Sequence, residues 1–81
     1  MRADDLADAA HRMVDALKRR EQAALGDLEE MVLAERPPEE IQAQATNVAA
    51  IHRELVEASV DARGADAVAD REQAQGRTGG P

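Results

Sequence analysis

The sequence predicts an all-α fold, an antiparallel helical hairpin of two long amphipathic helices, and three observations lead to it. Two adjacent prolines, Pro37 and Pro38, stand near the middle of the 81 residues. Apolar residues recur every seven positions on both sides of them, at Met31, Ala24, Leu17 and Ala10 before the prolines and at Ile41, Val48, Leu55 and Ala62 after them. The residue numbers of each matching pair add to 72, which is the register that the two arms of an antiparallel hairpin require.

The first helix is predicted over residues 4–35. Asp4 and Asp5 bring carboxylates to its first turn, where they interact favourably with the amide end of the helix dipole. No proline interrupts the chain before Pro37, and the single Gly26 costs a helix only about 1 kcal/mol relative to alanine. The expected apolar stripe is roughly 120° wide, enough for one neighbouring helix; it comprises Ala3, Leu6, Ala10, Met13, Leu17, Ala24, Leu28 and Met31.

A turn is predicted at residues 36–37, because a proline disfavours the helical conformation of the residue that precedes it. Pro38 suits the first position of a second helix, and Glu39 and Glu40 then occupy the favourable first turn. A break of about two residues makes the second helix fold back against the first.

The second helix is predicted over residues 38–63, and it either continues or resumes to about residue 73. Arg63 followed by Gly64 is typical of a helix end, so we expect a kink or a short third helix there. Ala65 and Ala69 nevertheless keep the hairpin register with the first helix. Residues 1–75 therefore form the predicted hairpin domain, and the glycine-rich residues 76–81 form a tail that is either flexible or docked on a partner.

The apolar sector of the second helix is close to 200° wide, which is more than one opposing helix can cover. Its residues are therefore expected to divide between the hairpin and a partner, so that the hairpin packs into a bundle with other chains. The predicted hairpin seam consists of Ala10, Leu17, Ala24, Leu28, Met31, Ile41, Val48, Ile51, Leu55 and Ala62. The predicted partner interface, which we call the outer face, consists of Ala45, Ala49, Val56 and Val60.

Two polar residues fall among these apolar positions and form a predicted polar layer. Glu21 lies opposite Ile51 in the hairpin register, which brings it within reach of His52. We interpret Glu21 and His52 as a layer that fixes the register, as polar residues in coiled-coil seams do. A pH-sensitive pair is the alternative, because imidazole groups titrate near neutral pH. Gln44, opposite Leu28, is interpreted as a second register device.

The composition argues against several classes of function. The chain has no aromatic residue to stack on a base and no cysteine, and its formal charge of −7 repels phosphate and anionic membranes. Asp8, His11 and Asp15 share a helix face, but their spacing from Arg12 and Arg19 indicates ion pairs rather than a metal site. We expect no catalytic residue, cofactor, metal, nucleic acid, membrane or small-molecule substrate. The expected location is the cytoplasm, or a virion if the chain comes from a phage.

The inventory of apolar side chains favours a protein that acts through protein–protein contacts. Of the 35 hydrophobic residues 18 are alanines, so a lone hairpin buries little surface. We expect a non-enzymatic structural or accessory subunit, either of a homo-oligomer or of a larger complex such as a phage virion. An acidic inhibitor or antitoxin-like binder of a basic protein surface is the alternative. Nine arginines to one lysine are typical of a GC-rich bacterium or its phage.

Overall fold

The computed structural model describes residues 2–78 and confirms the all-α antiparallel helical hairpin. Helix α1 spans Ala3–Leu33 and helix α2 spans Pro38–Thr78. Asp4 and Asp5 lie in the first turn of α1, and Glu39 and Glu40 lie in the first turn of α2. The two helices lie side by side in a narrow body whose principal extents are 69 × 17 × 14 Å.

Helix α1 ends at Leu33, two residues before the predicted end, because the chain leaves the helix at a left-handed residue. Glu35 has a φ angle of 54°. The amide of Arg36 donates to the carbonyl of Met31 at 3.0 Å, and the amide of Glu35 donates to the carbonyl of Val32 at 3.1 Å. This pair of hydrogen bonds is the Schellman motif, in which the residue with positive φ is usually glycine.

An ion pair between Arg36 of the turn and Glu40 of α2 further stabilises the turn. Arg36 Nε lies 2.8 Å from Glu40 Oε2, and Arg36 Nη2 lies 3.2 Å from Glu40 Oε1. The carbonyl of Pro37 accepts the amide hydrogens of Glu40 and Ile41, which starts α2. The short connection therefore places the first turn of α2 directly beside the last turn of α1.

Helix α2 runs through Gly64 without interruption, so of the two predicted alternatives the continuous helix is correct and the kink or third helix is not; the helix extends past residue 73 to Thr78. Gly64 does not adopt a positive φ angle, so it does not cap a helix. A helical glycine costs about 1 kcal/mol, and packing of Ala62, Ala65 and Ala69 against α1 on both sides of Gly64 offsets that cost. Residues 79–81 of the predicted tail lie outside the described residues.

The interhelical core consists of nine positions from each helix, and it extends the 72 register from end to end. Each of these positions is buried or half-buried. Leu17 retains 5%, Ile51 6% and Ala62 3% of its accessible surface. The core comprises Ala3, Ala7, Ala10, Val14, Leu17, Glu21, Ala24, Leu28 and Met31 of α1 and Ile41, Gln44, Val48, Ile51, Leu55, Ala58, Ala62, Ala65 and Ala69 of α2.

The apolar stripe predicted for α1 was wrong at two positions. Leu6 and Met13 are 49% and 56% exposed, whereas Ala7 and Val14 occupy the corresponding places in the core. The seam alternates steps of three and four residues, and this alternation selects Ala7 and Val14 over their larger neighbours. All ten residues of the predicted hairpin seam lie in the interhelical core.

Candidate protein-interaction surface

The structure brings Glu21 and His52 together across the two helices. His52 Nδ1 lies 3.2 Å from Glu21 Oε1, and the side chains are 61% and 19% exposed, respectively. Gln44 also links the two helices, nearer the turn: its Nε2 donates a hydrogen bond to the carbonyl of Ala24 at 2.9 Å. These polar groups are satisfied within the hairpin, and their role as register devices stays a prediction.

A second cross-helix pair, His11 with Asp66, was missed by sequence reasoning. His11 Nε2 lies 2.9 Å from Asp66 Oδ1 and 3.0 Å from Asp66 Oδ2. The signal was present, since each of the two residues follows a core position by four residues, as His52 does. Asp66 comes after Gly64, where the sequence left both a continuous and an interrupted second helix open.

Both histidines therefore lie along one edge of the hairpin, which we call the histidine flank. On each helix this edge is formed by residues that follow a core residue by four positions and are not core residues themselves, as His11 follows Ala7 and His52 follows Val48. Their outer neighbours, three positions before or four positions after them, point to the same edge because successive residues turn by about 100°. Its members on α1 are Asp8, His11, Asp15, Lys18, Gln22, Leu25, Glu29 and Val32; on α2 they are Gln42, Ala45, Ala49, His52, Val56, Ser59, Arg63 and Asp66.

The outer face is uncovered in the structure. Ala45 and Ala49 are exposed, and Val56 and Val60 are 49% and 57% exposed. Three of these residues belong to the histidine flank, whereas Val60 lies on the side of α2 that points away from α1. Their assignment as a partner interface stays a prediction.

Apolar residues of α1 enlarge this surface near the turn, and sequence reasoning missed them. Leu25 is 41% exposed and Val32 is 54% exposed. A shallow groove of about 420 Å³ opens here, lined by Leu28, Glu29, Val32 and Leu33. The spacing of seven residues between Leu25 and Val32 was the available signal, because it keeps both on the same side of α1.

The opposite flank of the hairpin is less uniform. Near the chain termini it carries Leu6, Met13 and Val68, which are 49%, 56% and 49% exposed. A groove of about 210 Å³ beside them is lined by Ala9, Ala10, Met13, Ala58 and Asp61. Toward the turn this flank becomes charged, with Arg20, Asp27 and Glu54. Its apolar part is thus confined to one end.

The residues weighed for metal binding do not converge. Among residues 2–78, no three histidine or carboxylate side chains are grouped as metal ligands would be. Of the candidates Asp8, His11 and Asp15, the histidine is engaged with Asp66 across the hairpin. Within the same residues, neither helix contains a stretch long and apolar enough to cross a membrane.

Comparison with known proteins adds no relative from which a function could be transferred. No protein-family model, no curated protein and no solved structure matches the chain. The functional argument therefore depends on the surface and the core of the hairpin itself.

Proposed function

We propose that this chain is a non-enzymatic structural or accessory protein that acts through protein–protein contacts, as a small helical subunit of a larger assembly. One observation carries the proposal. The chain exposes 6216 Å² of accessible surface, whereas a compact monomer of 8.7 kDa exposes about 4,700 Å². The excess, about 1,500 Å² by the same scaling, reflects the elongated shape of a two-helix hairpin, and its apolar part is surface that a partner can cover.

The composition of the core supports this proposal. Five of the eight buried hydrophobic residues are alanines, and the three larger ones are Val14, Leu17 and Ile51. Within the described part of the chain, no large side chain is fully buried. Because chains of this size are marginally stable even with a well-filled core, a hairpin with so small a core gains from further apolar contact.

The outer face is the proposed contact with the assembly. Ala45, Ala49 and Val56 share one flank of the hairpin with Leu25 and Val32 of α1, and Val60 lies beside Val56 on the far side of α2. Exposed apolar residues grouped in this way are typical of protein interaction sites. A repetitive complex, such as a phage virion, or a cytoplasmic assembly would provide the partners.

An acidic inhibitor or antitoxin-like binder is the second candidate, and the formal charge of −7 favours it. Such a protein covers a basic surface with carboxylates. The four residues of the outer face are apolar, however, and the acidic residues are spread over all sides of the hairpin rather than gathered on one contact face. This distribution supports the structural subunit over the inhibitor.

The test is the size of the complex that contains the tagged chain in an extract of its source cells. We expect an assembly larger than the 8.7 kDa monomer. Val56→Asp places a charge on the outer face and should release the chain as a monomer. Ala50→Asp is the matched control, because Ala50 is also exposed but points to the other flank.

Two results would overturn the proposal: a wild-type chain that migrates as a monomer, or an assembly that Val56→Asp leaves intact. The inhibitor instead predicts a one-to-one complex with a basic protein, whose activity rises when the complex is dissociated. Measuring the isoelectric point of whatever co-purifies therefore separates the two candidates.

A further inference from the structure

We infer that the histidine flank binds a second copy of this chain, with both turns at the same end, to form a four-helix bundle. The inference rests on the proposed function, because it names a partner for that contact surface. In this arrangement a two-fold axis runs along the bundle, so that α1 of each copy lies against α2 of the other. Every helix is then antiparallel to both of its neighbours, as in up-down-up-down bundles.

The available area suits a dimer of this kind. A stable protein–protein interface buries about 800 Å² on each partner. The surface that the chain exposes beyond a compact monomer is about 1,500 Å², given its total of 6216 Å². A second copy that covers about 800 Å² would therefore bury about half of that excess.

Large and small apolar residues complement each other when the two turns share an end. In the 72 register Leu25 is level with residue 47, between Ala45 and Ala49. With α1 of one copy on α2 of the other, Leu25 meets the partner's Ala45 and the partner's Ala49. The small alanines leave space for the leucine, which is the packing that well-filled cores require.

The charges at the other end of the histidine flank match in the same arrangement. Arg63 is level with residue 9 of α1, next to Asp8. The two-fold axis places Asp8 beside the partner's Arg63, and the reciprocal pair forms on the other side. Such complementarity contributes to specificity and to the choice of register.

The opposed arrangement, with the two turns at opposite ends, matches less well. In full overlap it would set Leu25 and Val32 against the partner's Asp15 and the partner's Asp8. Carboxylates would then lose water against apolar side chains without gaining a partner, which is costly. The arrangement with both turns together also brings one carboxylate, Asp15, level with the partner's Val56. It is favoured because it pairs Asp8 with the partner's Arg63 and seats Leu25 on two alanines.

A distance between labels on the two copies tests the arrangement. The chain has no cysteine, so Leu33→Cys introduces a single site for a spin label. Leu33 is 84% exposed, and its replacement leaves the histidine flank intact. Turns at the same end place the two labels within about 30 Å, because neighbouring helices pack 8–10 Å apart. Turns at opposite ends separate them by about 45 Å, the length of a 31-residue helix.

Matched charge substitutions test the surface by sedimentation of the purified full chain. Leu25→Asp should weaken self-association at least tenfold, whereas Met13→Asp, on the opposite flank, should leave it unchanged. Asp8→Arg and Arg63→Asp should each weaken the dimer, and the double variant should recover it. Circular dichroism at equal concentration checks that each variant keeps its helices.

The possible outcomes separate this inference from the proposed function. A purified chain that stays monomeric at every concentration overturns the inference, as does a dimer with the long label distance or one insensitive to Leu25→Asp. None of these results touches the proposed function if cell extracts still contain an assembly that depends on Val56. An extract in which the chain migrates as a dimer and nothing larger would instead remove the larger assembly from the proposed function and leave the dimer standing.

Discussion

Three leucines of α1 allow the burial of this hairpin to be tested with a single kind of substitution. Leu17 is 5% exposed, Leu25 is 41% exposed and Leu33 is 84% exposed. Leucine-to-alanine changes in enclosed cores cost 2–5 kcal/mol, and the cost is least where the site is open enough for its surroundings to collapse. A two-helix seam is such a site, so we expect Leu17→Ala to lower the free energy of unfolding by about 2.5 kcal/mol.

The expected costs at the other two leucines follow their exposure. At about 0.8 kcal/mol per buried methylene, the half-covered Leu25 contributes about 1 kcal/mol and Leu33 about 0.3 kcal/mol in an isolated hairpin. If a second copy covers Leu25, the cost of Leu25→Ala rises with chain concentration. The costs of Leu17→Ala and Leu33→Ala stay constant, because the free energies of unfolding of these variants and of the wild type rise together.

Urea unfolding followed by far-ultraviolet circular dichroism measures all three variants, at low-micromolar and at near-millimolar concentration. The slope of each transition shows whether the unfolding reaction has stayed comparable. Equal costs for Leu17→Ala and Leu33→Ala would refute the assignment of the interhelical core. A cost for Leu25→Ala that does not change with concentration would contradict the coverage of Leu25 by a second copy.

Three further predictions concern the backbone and the polar layer. Glu35→Gly should raise the free energy of unfolding by about 1 kcal/mol, because glycine adopts a positive φ angle without the steric cost that Glu35 bears; Glu35→Ala, which keeps the Cβ, should not. Gly26→Ala and Gly64→Ala should each raise the free energy of unfolding by about 0.5–1 kcal/mol, and the two effects should be additive, because nothing lies within 4 Å of the new Cβ. A loss of stability in Gly64→Ala would show that α2 bends at that position. A double-mutant cycle on Glu21 and His52 in thermal unfolding should give a coupling below about 1 kcal/mol that shrinks with salt, because the His52 side chain is 61% exposed.

The fold could be predicted from the sequence because two independent signals agree. Pro37 and Pro38 interrupt any helix, and the seven-residue repeat reverses its order across them. The repeat alone would also fit two helices of the chain that run parallel to each other. The short connection between the two arms removes that alternative, since it leaves no length for the second helix to run alongside the first in the same direction.

The ends of the elements were less predictable because local signals were outweighed. Glu35 occupies a left-handed position that glycine usually fills, so nothing in the residue type announces the end of α1. Gly64 gives the opposite error. It resembles a helix stop, but the alanines that follow it continue the packing against α1, and tertiary contact overrides a cost of about 1 kcal/mol.

The candidate surface could be predicted only in part, for a reason that the α1 error makes clear. Leu6 and Met13 were assigned to the apolar stripe of the first helix because they are apolar and recur at helical spacing, whereas the interhelical core takes Ala7 and Val14. Hydrophobicity shows that a residue can be buried but does not show which surface buries it. For the same reason Leu25 was not recognised as part of an exposed flank.

The placement of large apolar residues is what separates this chain from a hairpin built to fold alone. The described residues contain 16 leucine, valine, isoleucine and methionine side chains, and eight of them are exposed. Alanines meanwhile occupy eight of the 18 positions of the interhelical core. Exchanging small core residues with large exposed ones would bury more apolar surface within the same two helices. A sequence that keeps alanine inside and valine and leucine outside lets its helices approach closely, and in the proposed function its larger exposed side chains are the ones that contact a partner.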